Sequence, residues 1–457
     1  MTKRPNVIIC MCDQLRAFDV GCYGNEVVNT PHIDRLSANG MRFELAVTNN
    51  PVCMAARSCL LTGQYTRTCQ GFLGNYNDVG PDGRPWLPEY PEKKRRFLLD
   101  PTIPEHLKAI GYETVLFGKW HVQPAPFLLG FDYSLYPRVH HRHTGQTFIE
   151  NRGEGEEVQG FSVDFEAKQV REYLNEIGDR PFFMFYNISP PHMPLDDAPD
   201  KYLYMYRPED VPLRPNVYVN GKLPYDEHWF KVYMWDFLYY QEQEPYTEKL
   251  PERFDLRYLI ARYYGLTTWV DDMVGKLMEG LQENDLTDET IVLFMSDHGD
   301  NLGSHHLFNK GRLIEESIRV PMIWSGPGIA RTVNDRQVAQ TIDVMPTIID
   351  LCGGCIPDSV QGRSLSAVLS GSQDQLEESH AYIETDRGEI GLRTTDHLYG
   401  LQLDEEGNST TEGDSFFDLN NDPYEMNNLA YTQRQKEIGA GMRSRLMHWN
   451  ENTPRLA

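Results

Sequence analysis

The 457-residue chain is short of three things, and each shortage narrows what it can be. No apolar run approaches the roughly 20 residues that a helix needs to cross a bilayer, so no membrane span is expected. Cysteine is sparse: the eight are scattered, with Cys10, Cys12 and Cys22 near the start and Cys352 and Cys355 late. That is no disulfide framework and fits reduced thiols. Cys352-Gly-Gly-Cys355 has no second pair to complete a zinc site and reads as a helix end followed by a turn. Positive charge is short as well, 43 Lys and Arg against 67 Asp and Glu, for a net charge of −24. Such a field repels nucleic acid and anionic membrane surfaces. It also repels an anionic substrate, which would need a local cluster of metal, arginine and lysine. Internal repeats and low-complexity tracts are absent. The opening Met1-Thr2-Lys3-Arg4-Pro5 leads straight into a strand-like run with no signal peptide. A cytoplasmic location is therefore expected, or a periplasmic or secreted one if a leader was removed.

With 40% hydrophobic and 24% charged residues, the chain reads as a globular protein too long for one ordinary domain. Val7 to Met11 is a continuous apolar run, as in a strand of a parallel sheet buried on both faces. Glu113 to Phe117, Pro181 to Ile188, Thr290 to Met295 and Val320 to Ser325 repeat the pattern. Helices are expected from Thr30, over Pro104 to Ile110, Tyr258 to Asn284 and Asp343 to Cys352. These alternate into an α/β fold: a large mixed, mostly parallel sheet flanked by helices. Beyond Gly362 short strands at Ala381 to Thr385 and Gly391 to Leu401 indicate a smaller α+β domain. The expected division is 1–360 and 361–457, with an aromatic-rich insertion over 196–253. The Lys93-Lys94-Arg95-Arg96 run is read as solvated loop and His32 as structural. Tyr202, Tyr204, Tyr206, Trp229, Tyr233 and Trp235 in the insertion either stack on sugar rings or pack against the body, the second being the commoner fate.

The chemistry-bearing residues follow strand ends. In open α/β sheets ligands gather at the carboxyl edge, where Asp13 and the Asp297-His298 pair fall, as candidate ligands of a divalent cation. Lys119 and His121 are two apart and share a face if extended, and His192 follows another strand. Ammonium and imidazole groups aimed at one point suit a charged ester oxygen. Cys53-Met-Ala-Ala-Arg57, closed by Thr62-Gly63, sets a thiol one helical turn before an arginine. If a helix starts there, Cys53 lies at its positive end, where anions bind and thiols acidify.

This stretch resembles the signature of the type I sulfatases, Cys-x-Pro-x-Arg followed by Thr-Gly, within the alkaline-phosphatase-like superfamily. Asp13-Gln14, Gly118-Lys-Trp-His121, Pro190-Pro-His192, Ser296-Asp-His-Gly-Asp300 and Asn309-Lys-Gly311 stand in that family's order. The likeness runs from Asn6 to about Leu429 and includes the Asp422-Pro-x-Glu-x-x-Asn-Leu429 ending. Ala55 stands where the family has proline. The resemblance implies sulfate ester hydrolysis, and the aromatic insertion makes a carbohydrate ester the expected substrate. It implies that Cys53 is oxidised to formylglycine by a maturation enzyme; one hydroxyl of the aldehyde hydrate attacks sulfur, and loss of the other's proton expels sulfate. Asp13, Asp297 and His298 would hold one divalent cation, calcium by resemblance, with manganese or zinc admitted by the imidazole; Gln14 would replace the more usual second acid. Arg57 would orient the nucleophile, Lys119 and Lys310 contact sulfate, His121 assist the hydrate and His192 protonate the leaving alcohol. Two alternatives remain: a phosphonate or phosphate ester hydrolase of the same superfamily, and a non-catalytic metal-binding homologue with Cys53 unmodified. Oligomeric state is left open.

Overall fold

The computed structural model describes residues 4–75, 95–138, 141–235, 250, 254–404, 407–410 and 413–456. Its large sheet has ten strands: β1 (Asn6–Asp13), β2 (Gly40–Val47), β3 (Glu113–Gly118), β4 (Tyr133–Pro137), β5 (Thr144–Glu150), β6 (Glu156–Phe161), β7 (Phe182–Pro191), β8 (Thr290–Ser296), β9 (Met322–Ser325) and β10 (Thr332–Gln340). Their order is β10-β2-β9-β8-β1-β7-β3-β4-β5-β6. The run β8-β1-β7-β3-β4 is parallel throughout, β9 is antiparallel to both neighbours, and β5 and β6 finish that edge antiparallel.

The apolar run of β1 explains this arrangement. Ile8, Cys10 and Cys12 join a core with Leu259, Tyr263, Leu266 and Trp269 of the helix Leu256–Glu283, while Val7, Ile9 and Met11 pack on the opposite face with Leu60, Leu61, Val344 and Ile348. Every residue of β1 is buried. A strand with helices on both faces reads as continuous rather than alternating hydrophobicity.

A second sheet carries β11 (His380–Glu384), β12 (Glu389–Thr394), β13 (His397–Gln402) and β14 (Ser415–Asp418), all antiparallel. The single strand expected over Gly391 to Leu401 is instead β12 and β13 of a hairpin, with Gly391 opposite Gly400. Residues 390–393 and 398–401 are buried throughout, and the turn between them after Thr394 has no Gly or Pro to mark it. The helix Ala440–Asn452 covers the small sheet through Met442, Leu446 and Trp449. Of the basic run, Lys93 and Lys94 lie outside the described residues; Arg95 is paired with Glu105 at 2.7 Å rather than solvated. Trp235 closes a helix, and its side chain likewise lies outside what is described. Among the described residues no helix is long and apolar enough to cross a membrane.

Candidate active site

Four neighbouring parallel strands, β8, β1, β7 and β3, end on the same edge. Their carboxyl ends deliver Asp297 and His298, Asp13 and Gln14, His192, and Lys119 and His121. After β3 the chain is extended as expected: Trp120 between the two site residues turns into the core, where its Nε1 donates to Pro124 O at 3.0 Å. The close approach of β3 to β7 requires glycine at 118, where φ is +81° and a Cβ would fall 2.0 Å from Asn187 O.

The thiol comes from the other side. The helix Cys53–Thr62 begins at Cys53 and closes on Gly63 in the left-handed conformation. Cys53 has no exposed surface. Arg57, one turn on, donates from Nε to Asp297 Oδ2 at 3.0 Å, from Nη2 to Asp13 Oδ2 at 3.0 Å and from Nη1 to Asn187 Oδ1 at 3.1 Å. Lys119 Nζ donates to Asp13 Oδ2 as well. Lys310 Nζ lies 2.8 Å from Cys53 Sγ, 3.0 Å from Gln14 Oε1 and 2.9 Å from His192 Nε2. His121 completes the ring around the sulfur through a hydrogen bond with Cys53. All ten residues singled out in the sequence thus meet in one pocket beneath the sheet edge.

The charges there are strongly coupled. Burial and the Asp13 charge oppose ionisation of Cys53, yet Lys310, Lys119 and His298 outweigh them and hold the thiol well below its ordinary range. Burial pushes Asp13 up, but Lys119, His192, Lys310 and Arg57 hold it well below the usual carboxylate range. Burial and the neighbouring Asp13 raise Asp297. Burial first, then the Lys310 ammonium, lowers His192 to about 4. Its Nδ1 faces Met193 O at 2.6 Å, so Nε2 accepts from Lys310, and the proton of this pair rests on the lysine. His192 is therefore neutral in the resting enzyme, and the Lys310–His192 pair rather than the imidazole alone holds the proton that a leaving alkoxide would need.

The donor set fits a divalent cation. His298 Nδ1 donates to Gly299 O at 2.8 Å, which sets Nε2 3.1 Å from Cys53 Sγ and 3.7 Å from both Asp13 Oδ1 and Asp297 Oδ1. Two carboxylate oxygens, an imidazole nitrogen and the Cys53 sulfur thus converge on one fully buried point, a donor set that suits a cation between them. Ligand atoms of Asp13, Cys53, Asp297 and His298 lie within 4.8 Å of one another. The Gln14 side chain is oriented by donating from Nε2 to Asp300 Oδ2 at 2.6 Å and Asn309 Oδ1 at 3.2 Å, which leaves its oxygen on the side of Lys310 and Cys53. Gln14 itself has φ +67°, a strained turn that brings this side chain back over the strand end.

Sequence reasoning missed four participants. Asn187 caps Arg57, Asp300 and Asn309 hold Gln14, and His141 stacks on His192 with ring centroids 3.7 Å apart and planes at 8°. His141 Nδ1 also lies 3.3 Å from Lys119 Nζ. The signal available was the cluster His140-His-Arg-His143 after β4. The aromatic segment mostly packs. Tyr202 stacks on Trp269, Tyr206 bonds Thr268, and buried Tyr233 donates to Asp300 at 2.6 Å and accepts from Asn309 N. Among those named whose side chains are described, Trp229 lines the mouth beside Lys310.

A family model described as Sulfatase matches residues 5–354, and one described as N-sulphoglucosamine sulphohydrolase, C-terminal, matches residues 303–452. The chain belongs to the sulfatase family. It is accordingly a sulfuric ester hydrolase, and membership implies a metal ion and conversion of the motif cysteine to formylglycine. An ulvan-active sulfatase of Formosa agariphila is 29% identical over 473 residues, covering 97% of this chain and 81% of that relative. A solved structure of a protein in complex with its substrate D-glucosamine-2-N,6-O-disulfate superposes with a TM-score of 0.79 at 21% identity over 99% of both chains. The phosphonate monoester hydrolase of Agrobacterium radiobacter shares the fold too, with a TM-score of 0.72 at 19% identity over 99% of this chain and 96% of the other. Fold alone therefore does not choose between sulfur and phosphorus; the sulfatase match does.

Proposed function

We propose that this sulfatase cleaves a sulfate ester of a carbohydrate, with Cys53 as the precursor of the nucleophile. The observation that carries the reading is the convergence of Arg57, Lys119 and Lys310 on one buried point in a protein of net charge −24. A cation held by Asp13, Asp297 and His298, with Gln14 beside them, would acidify the nucleophile and take up negative charge. Oxygen donors favour calcium, and the imidazole admits manganese or zinc.

The protein's own groups then divide the work. Arg57 holds two metal-side carboxylates in place. Lys119 and Lys310 face the sulfuryl oxygens and offset their charge, while new negative charge develops on the leaving oxygen as the ester bond lengthens. Lys310 hands a proton through His192 to the leaving oxygen, and His141, stacked face to face, holds His192 in its aim. His121, lowered by burial and so neutral, accepts a proton from the hydrate derived from Cys53 when sulfate is expelled. A thiol without exposed surface cannot enter another enzyme's site, so a maturation enzyme must act before this helix docks. Ala55 is third in the helix, where the backbone N–H has no intrahelical acceptor and proline or alanine fits equally. The catalytic role is assigned to 1–360 and the supporting role to 361–457; the four strands of the small sheet all lie beyond residue 379.

Mass spectrometry of the peptide spanning Cys53 comes first, because the aldehyde is lighter than the thiol. Protein so characterised is then assayed on matched aryl sulfate, phosphate diester and phosphonate esters and on sulfated sugars. Turnover of the sulfates, with kcat/KM at least about tenfold above the phosphorus esters, is expected. The reverse order, or an unmodified Cys53 with no turnover, rejects the reading. Elemental analysis should find one divalent cation per chain, lost in Asp297→Ala.

A further inference from the structure

The mouth of the pocket carries cations that the reaction does not use. A small cavity of about 130 Å³ opens beside Lys310 and is lined by Asp226, Trp229, Phe308, Arg312 and Arg387 among others. Several buried or half-buried arginines elsewhere are held by close carboxylates: Arg16 by Asp19, Arg57 by Asp13 and Asp297, Arg67 by Glu384, Arg214 by Glu316 and Arg393 by Glu315. Arg312 pairs with Glu389 at 3.9 Å, beyond hydrogen-bond distance, and its charge also acts on Asp386. The Arg387 side chain makes no ion pair with a described residue and is exposed. In a chain with 67 acids for 43 bases, two guanidinium groups without a hydrogen-bonded acid share one wall with a catalytic lysine, and Asp386 and Glu389 balance them only at longer range.

The loop that forms this wall is also held in a costly shape. Leu302, His305, His306 and Asn309 all have positive φ, between 42° and 60°. Backbone of this kind persists only where packing enforces it. Here it carries the chain from Asp300, which fixes Gln14, to Lys310 and on to Arg312.

We propose that Arg312 and Arg387 form a second anion subsite, so that the preferred substrate is a carbohydrate bearing another oxyanion, sulfate or carboxylate, beside the scissile sulfate. This deepens the sulfatase reading and rests on it. A guanidinium offers two parallel N–H donors that match a sulfate or carboxylate edge. Trp229 offers its ring to the sugar and Asp226 an acceptor for a hydroxyl. The two arginines touch the substrate away from the reacting atoms, so they set specificity rather than rate of bond cleavage.

The test compares kcat/KM of formylglycine-bearing enzyme on 4-nitrophenyl sulfate, a monosulfated neutral disaccharide, a disulfated disaccharide and a monosulfated disaccharide containing a uronic acid. The wild type is expected to favour one or both doubly anionic sugars by about tenfold over the neutral one. Arg312→Gln, Arg387→Gln and the double variant should erase that ratio through KM, and rising salt should erode it, because Arg387 is exposed and Arg312 only half-buried. The last two sugars separate sulfate from carboxylate as the second anion. A wild type that prefers the neutral sugar, or variants that lose equally on all four substrates while retaining the wild-type Tm, overturns the subsite. No turnover of any sulfate ester by modified enzyme would instead reject the underlying function.

Discussion

Two buried arginines ten residues apart serve opposite ends. Arg67 donates its backbone N–H to Glu384 Oε1 at 3.0 Å and its Nε to Oε2 at 2.6 Å, bonds Asn450 Oδ1 at 2.8 Å and lies 4.3 Å over the Trp449 ring. Both oxygens of its acid are spent on it, and the tie joins the segment after the helix Cys53–Thr62 to the small sheet and the C-terminal helix. Arg57 is as deeply buried, but Asp13 gives it only Oδ2 and turns Oδ1 toward His298 and Cys53. A closed network holds a fold together; one with an oxygen and a lone pair left facing each other is built to receive something.

The largest effect that would break this contrast is on stability. Arg67→Ala strands a fully buried Glu384 and should cost about 3–5 kcal/mol in urea unfolding. Arg57→Ala should cost clearly less, since Asp13 keeps Lys119 and both acids keep the cation. Equal losses would mean that both arginines are structural. In turnover the order reverses. Arg57→Ala should lower kcat by about two to three powers of ten, the usual effect of losing one charged stabiliser, and Lys310→Ala likewise. Near-full activity of both variants on an aryl sulfate would remove the anion pocket.

A smaller effect separates the regions by pH. Asp343, buried in the same cluster of elements as Tyr65, is raised to about 6 by burial despite Arg363. The folded protein therefore takes up a proton there that the unfolded chain, with an ordinary carboxyl, binds only at lower pH. Its contribution is full below about pH 4 and is lost as pH rises through about 6, up to about 3 kcal/mol in all. Asp343→Asn should flatten that slope in unfolding free energy measured from pH 4 to 7. The same slope in wild type and variant would assign it to another group.

The smallest concerns His141. His141→Ala should lower kcat on alkyl sulfates by about tenfold more than on 4-nitrophenyl sulfate, whose leaving group needs no proton. His141→Phe, which keeps a stacking face, should recover part of the difference. Uniform loss across leaving groups would reduce His141 to packing.

The central strands β1, β3, β7, β8 and β9 were legible because burial on both faces leaves unbroken apolar runs, whereas β2, β4, β5, β6 and β10, more exposed or nearer the edges, were not. The carboxyl ends of buried parallel strands are where ligands gather. Asp13, Lys119, His121, His192, Asp297 and His298 were picked out by their place after strands, Cys53 and Arg57 by their helical spacing, and Gln14 and Lys310 only by the resemblance of their motifs. The hairpin of β12 and β13 was not legible, since its turn has neither Gly nor Pro to separate the two strands. Nor were Asn187, His141, Asp300 and Asn309, whose partners are distant in sequence: Asn187 meets Arg57 only because β7 lies beside β1 and β3. Local pattern determines which residues stand at a strand end. Which of them keep an oxygen turned to the site, or a guanidinium without a hydrogen-bonded acid, depends on what the tertiary fold sets against each one, and that separates Arg57 from Arg67, and Arg312 from Arg393.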